Sequence, residues 1–162
     1  MKTKTKTKRK KVVNLRPSWD EYFMQIAELA ASRSTCDRLH VGAALVRDHR
    51  VLAVGYNGSP RGTKHCDEVG HRMINGHCAR TVHAEVNAVL SAALHGIKTD
   101  GSTLYTRYFP CENCVKELIN AGIDKIIFRE HYRNIDQPFV KEILKQAQVK
   151  ISKLPPARKG RT

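Results

Sequence analysis

The sequence has no run of about 18 or more apolar residues and no apolar stretch after its first residues. The first absence argues against a bilayer-spanning helix, the second against a secretory signal. No internal repeat is visible, so a solenoid is not expected. The cysteines number five, an odd set, and two of them stand in a C-x-x-C. That pattern opposes a disulfide framework and suits a reducing compartment, the cytoplasm, with thiolates on metal. Acidic residues are also scarce, 15 against 29 Lys and Arg, a formal charge of +14. Seven of the basic side chains lie in residues 1–11, and Arg158, Lys159 and Arg161 add three more, so only about +4 is left for the rest. The Lys-Thr start has no aromatic residue to stack on a base. It reads as a solvated tail rather than a nucleic-acid contact.

At 162 residues the chain is long enough to bury one core. The organisation expected is a basic disordered tail at 1–16, one domain at 17–154 and a basic tail at 155–162. Ser18 is placed to cap a helix with Asp20 and Glu21 in its first turn, ending near Ser34. Val41–Val46 and Val51–Tyr56 read as a β-hairpin, followed by a long irregular segment to about Arg80. A helix is expected over Val82–His95, apolar on nearly every side and so buried. A strand at Ser102–Thr106, a helix at Cys111–Asn120, a strand at Lys125–Phe128, a helix at Gln137–Gln146 and a last strand at Val149–Ile151 follow. Strands alternating with helices imply parallel pairing in the second half, hence a mixed sheet with helices on both faces.

The chemistry is carried by two short segments. His83 and Glu85 stand two residues apart at the start of a helix, and Pro110-Cys111-Glu112-Asn113-Cys114 supplies two thiols at metal-ligand spacing. A catalytic zinc takes three protein ligands and keeps a position open for water, and His83, Cys111 and Cys114 supply three. Helix N-termini favour thiolate over thiol. Glu85 is close enough to move protons without being a ligand. H-x-E followed by P-C-x-x-C is the signature of zinc nucleobase deaminases.

From Ser18 to Tyr132 the chain resembles the deoxycytidylate (dCMP) deaminases. The resemblance runs through SWDEYFMQIAELAASRSTC, VGAAL, GYNGSPRG, HCARTVHAEVNA, TLYTRYFPCENC and AGIDKII. It implies the cytidine deaminase-like three-layer α/β/α sandwich with a mixed, mostly five-stranded sheet. It further implies hydrolysis of dCMP to dUMP, the precursor for thymidylate synthesis, in a homohexamer. Activation by dCTP and inhibition by dTTP, with Mg2+ alongside these effectors, would involve Gly55, Tyr56, Asn57 and Gly58. By the same resemblance Asn57 falls on a residue that contacts the nucleotide sugar, and equivalents of Cys36 and Cys66 hold a second, structural zinc. The ligand set expected here is Cys36, Cys66, His71 and Cys78, with His65 and His77 the poorer candidates. Arg107 departs from the small or polar residue usual at its position. A 5′-phosphate needs a cation at the pocket mouth, and Arg80, Arg107 and then Lys64 are nearest in sequence.

Two other readings stand beside this one. A deaminase of tRNA or single-stranded DNA is favoured by the basic tails but opposed by the GYNG loop and the extra Cys/His set. A non-catalytic nucleotide-sensing protein is opposed by the intact His83, Glu85, Cys111 and Cys114.

Overall fold

The computed structural model describes residues 16–74, 76–132 and 137–156. Both expected tails lie largely outside these residues. Twelve elements are described: α1 (Trp19–Ala31), β1 (Gly42–Arg47), β2 (Arg50–Tyr56), α2 (Cys66–Val69), β3 (Met73–Ile74), β4 (His77–Cys78), α3 (Ala84–Leu94), β5 (Ser102–Tyr108), α4 (Glu112–Asn120), β6 (Ile123–Glu130), α5 (Gln137–Gln146) and β7 (Lys150–Lys153). Ser18 caps α1, its side chain accepting from the Glu21 N–H at 3.2 Å. The segment expected to be irregular contains α2 and the small β3–β4 hairpin, elements too short to announce themselves by periodicity.

The main sheet has five strands in the order β2-β1-β5-β6-β7. The first three pair antiparallel and the last three parallel, so the sheet is mixed as expected. Alternation along each strand divides the core in two. Ala44, Val46, Tyr105 and Ile127 meet Phe23, Met24 and Ala27 of α1 on one face. Ala43, Leu45, Leu104, Ile126 and Phe128 meet residues of α3, α4 and α5 on the other. Each large side chain fully buried there contributes about 1.5–3 kcal/mol.

Two glycines set how closely the helices sit. A Cβ at Gly42 would lie 1.9 Å from the Ala27 carbonyl oxygen of α1, and one at Gly55 would lie 2.3 Å from the Ala84 carbonyl oxygen of α3. Both layers therefore touch the sheet backbone to backbone. In α3 the contact is made by Ala84, Ala88 and Ala92, while Leu90 and Leu94 are 53% and 72% exposed. The expectation of a helix buried nearly all round is corrected here. Its small residues face the sheet, and its leucines face outward, with no layer among the described residues covering them. No helix among the described residues is long and apolar enough to cross a membrane.

Candidate active site

The parallel strands β5 and β6 end beside the N-termini of α3 and α4, the usual place for a ligand crevice in an open α/β sheet. Gly58 and Val82 form an antiparallel bridge, with N–H···O distances of 3.2 and 2.9 Å. The bridge ties the end of the GYNG segment to the residue before His83. His83 and Cys111 are the N-cap residues of α3 and α4, and neither side chain caps its own helix. Both are therefore free to turn outward. Cys114 stands one turn into α4 on the same side as Cys111.

The three converge. His83 Nδ1 lies 3.2 Å from Cys114 Sγ and 3.5 Å from Cys111 Sγ, and the two sulfurs are 3.5 Å apart. Zinc bonds of about 2.3 Å to sulfur and 2.0–2.1 Å to nitrogen put tetrahedral ligand atoms roughly 3.5–3.8 Å apart, so the triad fits that ion. The three groups share protons among themselves, and a bound cation would displace those on His83 and Cys114. Hydrogen bonds from Cys114 and His83 draw the Cys111 thiol down to about 3. Cys111 in turn holds His83 up to about 9. The Cys114 thiol is pushed up, by Cys111 first and then by burial.

Glu85, in the first turn of α3, is only 5% exposed. Thr106 Oγ1 of β5 donates to its Oε1 at 3.1 Å. Its Oε2 lies 3.8 Å from Cys114 Sγ, beside the ligand triad. Burial holds this carboxyl above the usual carboxylate range. A buried acid within reach of a three-ligand metal site is the arrangement of a general acid–base group.

A cleft opens above these groups, lined in part by Leu39, Val41, Tyr108, Phe109 and Tyr132, with Asn57, His77, Cys36 and Cys78 at its sides. Asn57 is buried and well engaged. Its Oδ1 accepts from the Val41 N–H at 2.9 Å and its Nδ2 donates to the Leu39 carbonyl at 2.8 Å. Three of the sequence's phosphate candidates are not brought to this cleft. Arg80 donates to the Gly70 carbonyl at 3.2 Å, Arg107 pairs with Glu130 at 3.2 Å, and Lys64 is not among the lining residues. Among the described residues, Arg38 is the Arg or Lys that lines it, with Nη1 2.9 Å from the weak acceptor Met73 Sδ. The sequence reading missed Arg38, although its place two residues after Cys36 was a usable signal. It also missed Thr106, a hydroxyl in an apolar strand.

The extra cysteines form a second cluster. Cys66, His71 and Cys78 offer donor atoms within 4.8 Å of one another, and so do Cys36, Asp37 and His71, so His71 joins both sets. Cys66 Sγ and Cys78 Sγ are 3.7 Å apart. His71 Nε2 contacts Asp37 Oδ1 at 2.6 Å, while the buried Nδ1 makes no hydrogen bond within the described residues. Burial and then Cys78 push the Cys66 thiol up to about 11. In spite of its burial, the Cys78 thiol is drawn down to about 6 by His71 and by the backbone of Arg80 and Arg72. His65 is occupied elsewhere, its Nδ1 3.1 Å from Thr35 Oγ1.

Similarity to known proteins agrees with this geometry. Residues 17–130 match the cytidine and deoxycytidylate deaminase zinc-binding region. Over 139 residues the chain is 46% identical to ComE operon protein 2 of Bacillus subtilis, covering 86% of this chain and 72% of that protein. It is 38% identical over 143 residues to the deoxycytidylate deaminase of Saccharomyces cerevisiae, covering 85% of this chain but 45% of the yeast protein. The crystal structure of dCMP deaminase from the cyanophage S-TIM5, in complex with dCMP and dUMP, superposes with a TM-score of 0.73 at 33% identity, covering 87% of this chain and 100% of that one. The sheet, the converging ligand triad and these likenesses together lead to one assignment: the chain belongs to the cytidine and deoxycytidylate deaminase family.

Proposed function

We propose that this protein is a zinc-dependent dCMP deaminase, converting dCMP to dUMP and ammonia in the cytoplasm and so supplying dUMP for thymidylate synthesis. The observation that carries the reading is the buried Glu85 carboxyl facing His83, Cys111 and Cys114 at the base of an aromatic-walled cleft. The likeness to deoxycytidylate deaminases supports the choice of substrate. His83, Cys111 and Cys114 would hold the zinc, which would supply the Lewis acid that activates water at neutral pH. Glu85 accepts the proton of the attacking water on Oε2 and places it on N3 of the pyrimidine. Glu85 then takes the proton of the new C4 hydroxyl and passes it to the amine, so that the C4–N bond breaks as the C4 carbonyl forms. The net change adds one water at C4 and releases one ammonia. Tyr108, Phe109 and Tyr132 hold the ring and exclude water, and the second N–H of the Asn57 amide is left for the deoxyribose hydroxyl.

Arg38 takes the 5′-phosphate in this reading. It is the Arg or Lys that lines the cleft among the described residues, and releasing Met73 loses little. Arg80 and Arg107 serve the structure where they stand. Arg38→Ala is expected to raise KM for dCMP roughly ten- to hundredfold with kcat little changed, the value of hydrogen bonds to a charged group. Arg38→Lys should recover part of it. A fall in kcat with KM unchanged would count against this placement.

A second, structural zinc on Cys36, Cys66, His71 and Cys78 belongs to the same proposal. So does a homohexamer, supported by the exposed Leu90 and Leu94 and by the place of β2 at the edge of the sheet among the described residues. Regulation by dCTP and dTTP with Mg2+ at Gly55, Tyr56, Asn57 and Gly58 completes it. The test is ammonia release from dCMP, CMP and dCTP in the absence of nucleic acid, with and without dCTP and dTTP as effectors. Rapid turnover of dCMP is expected. Turnover only of a polynucleotide would overturn the reading.

A further inference from the structure

Thr106 is an odd residue for its place. It lies in the middle of the main sheet, paired with Ala43 of β1 on one side and Phe128 of β6 on the other. It is 0% exposed, and the residue two before it, Leu104, packs in the core on the α3 side. A valine has nearly the same shape and suits a central strand at least as well. A hydroxyl buried there is unfavourable unless it is hydrogen-bonded. The partner it has is Oε1 of Glu85, at 3.1 Å.

We infer that Thr106 is the positioning residue for the proton-shuttling carboxyl, fixing Oε1 so that Oε2 alone faces the reacting atoms. The inference rests on the deaminase reading above. Two carboxylate oxygens are chemically equivalent until something distinguishes them. Here the Thr106 hydroxyl donates to one, and the other stands by the ligand triad. A hydroxyl donor can keep this bond in both states of the acid. Toward the carboxylate it donates to Oε1. Toward the protonated acid it still donates to Oε1, which confines the acidic proton to Oε2. The proton is therefore carried on the side from which it was taken, and the carboxyl need not rotate between transfers. The group is held by a central strand of the sheet, which gives it the rigidity a site needs. Thr106 touches neither metal donors nor substrate in this scheme and acts through Glu85.

The experiment compares Thr106→Val and Thr106→Ser with wild type in the full-length, zinc-loaded protein. Thr106→Val is expected to lower kcat on dCMP roughly 10- to 30-fold with KM and zinc content unchanged, as for a lost hydrogen bond to a charged group. Thr106→Ser, which keeps the hydroxyl, should return to within about threefold of wild type. Equal activity of the valine and serine variants would overturn the inference, as would a loss confined to KM. If the valine variant does not fold, Thr106→Ala against Thr106→Ser makes the same comparison. A second readout needs no turnover. A crystal structure of zinc-loaded Thr106→Val should show the Glu85 carboxyl in more than one rotamer, against one in wild type. A single unchanged rotamer overturns the inference even if dCMP proves not to be the substrate. Wild type that leaves dCMP untouched, with the rotamers behaving as expected, overturns the substrate reading instead.

Discussion

Glu85→Gln is expected to lower kcat on dCMP by about 10³–10⁴-fold or more while leaving zinc content and fold unchanged. A general acid–base group is typically worth about 10²–10⁴-fold, and here one group makes several transfers. The substitution isolates that role. Glutamine has the size of glutamate, and its carbonyl oxygen can still accept from Thr106 Oγ1. What it lacks is a site that takes up and gives back a proton. The metal donors His83, Cys111 and Cys114 are untouched. Stability should not fall and should rise somewhat. Burial opposes ionisation of Glu85, and a neutral amide removes that penalty. Ammonia release, metal analysis and thermal unfolding on the same preparation check all three parts. Zinc-replete Glu85→Gln with near-normal turnover would remove Glu85 from the mechanism.

What could be read from the sequence here was whatever depends on local spacing. His83, Glu85, Cys111 and Cys114 sit at helix starts, so their chain positions nearly determine their relative placement. The hairpin, the crossing helices and the mixed sheet followed from period and order of elements. The phosphate candidates are placed away from the cleft for the opposite reason. Arg80 and Arg107 are near the chemistry in sequence, but strand alternation and a turn carry them to Gly70 and Glu130. Arg38 is 45 residues from His83 and reaches the cleft because Asn57 fastens the backbone of Leu39 and Val41 to the end of β2. Asn57 shows the same limit. Its backbone bonds are long-range, so the sequence could suggest a contact with the sugar but not its stapling of this segment. The partial exposure of α3 was hidden too, because mean apolarity does not say that Ala84, Ala88 and Ala92 would face the sheet while Leu90 and Leu94 face away.

Cys66→Ser is expected to lower the metal content of the reduced protein from about two zinc per chain to one, by the four-ligand logic of structural sites. The same change should open residues 60–80 to proteolysis. This segment has little else to order it. The α2 helix has 4 residues and the β3–β4 hairpin two residues in each strand, lengths that are not stable alone. Met73 and Ile74 are 45% and 50% exposed, so burial contributes little. What the segment does have is a set of donors. The sulfurs of Cys66 and Cys78 stand 3.7 Å apart, and His71 presents a buried Nδ1 that makes no hydrogen bond within the described residues, while Asp37 holds its Nε2 at 2.6 Å. A carboxylate on the far nitrogen of a histidine is the usual support for a zinc ligand. Structural zinc sites of this kind release about 10–16 kcal/mol on binding at neutral pH, a substantial part of the roughly 1–2 kcal/mol per residue that ordering the segment costs. The cleft should report the loss as well, because Cys36 and Cys78 are part of its wall, so KM for dCMP should rise in the variant. Cys111→Ser is the companion measurement. It removes the other zinc and abolishes turnover, yet leaves residues 60–80 protected, because none of the second cluster's donors comes from α4. One zinc per chain in fully reduced wild type would defeat the second site. The segment would then be held by its hydrogen bonds and the thiol pair without a metal, and Cys66→Ser would leave the metal count where it was.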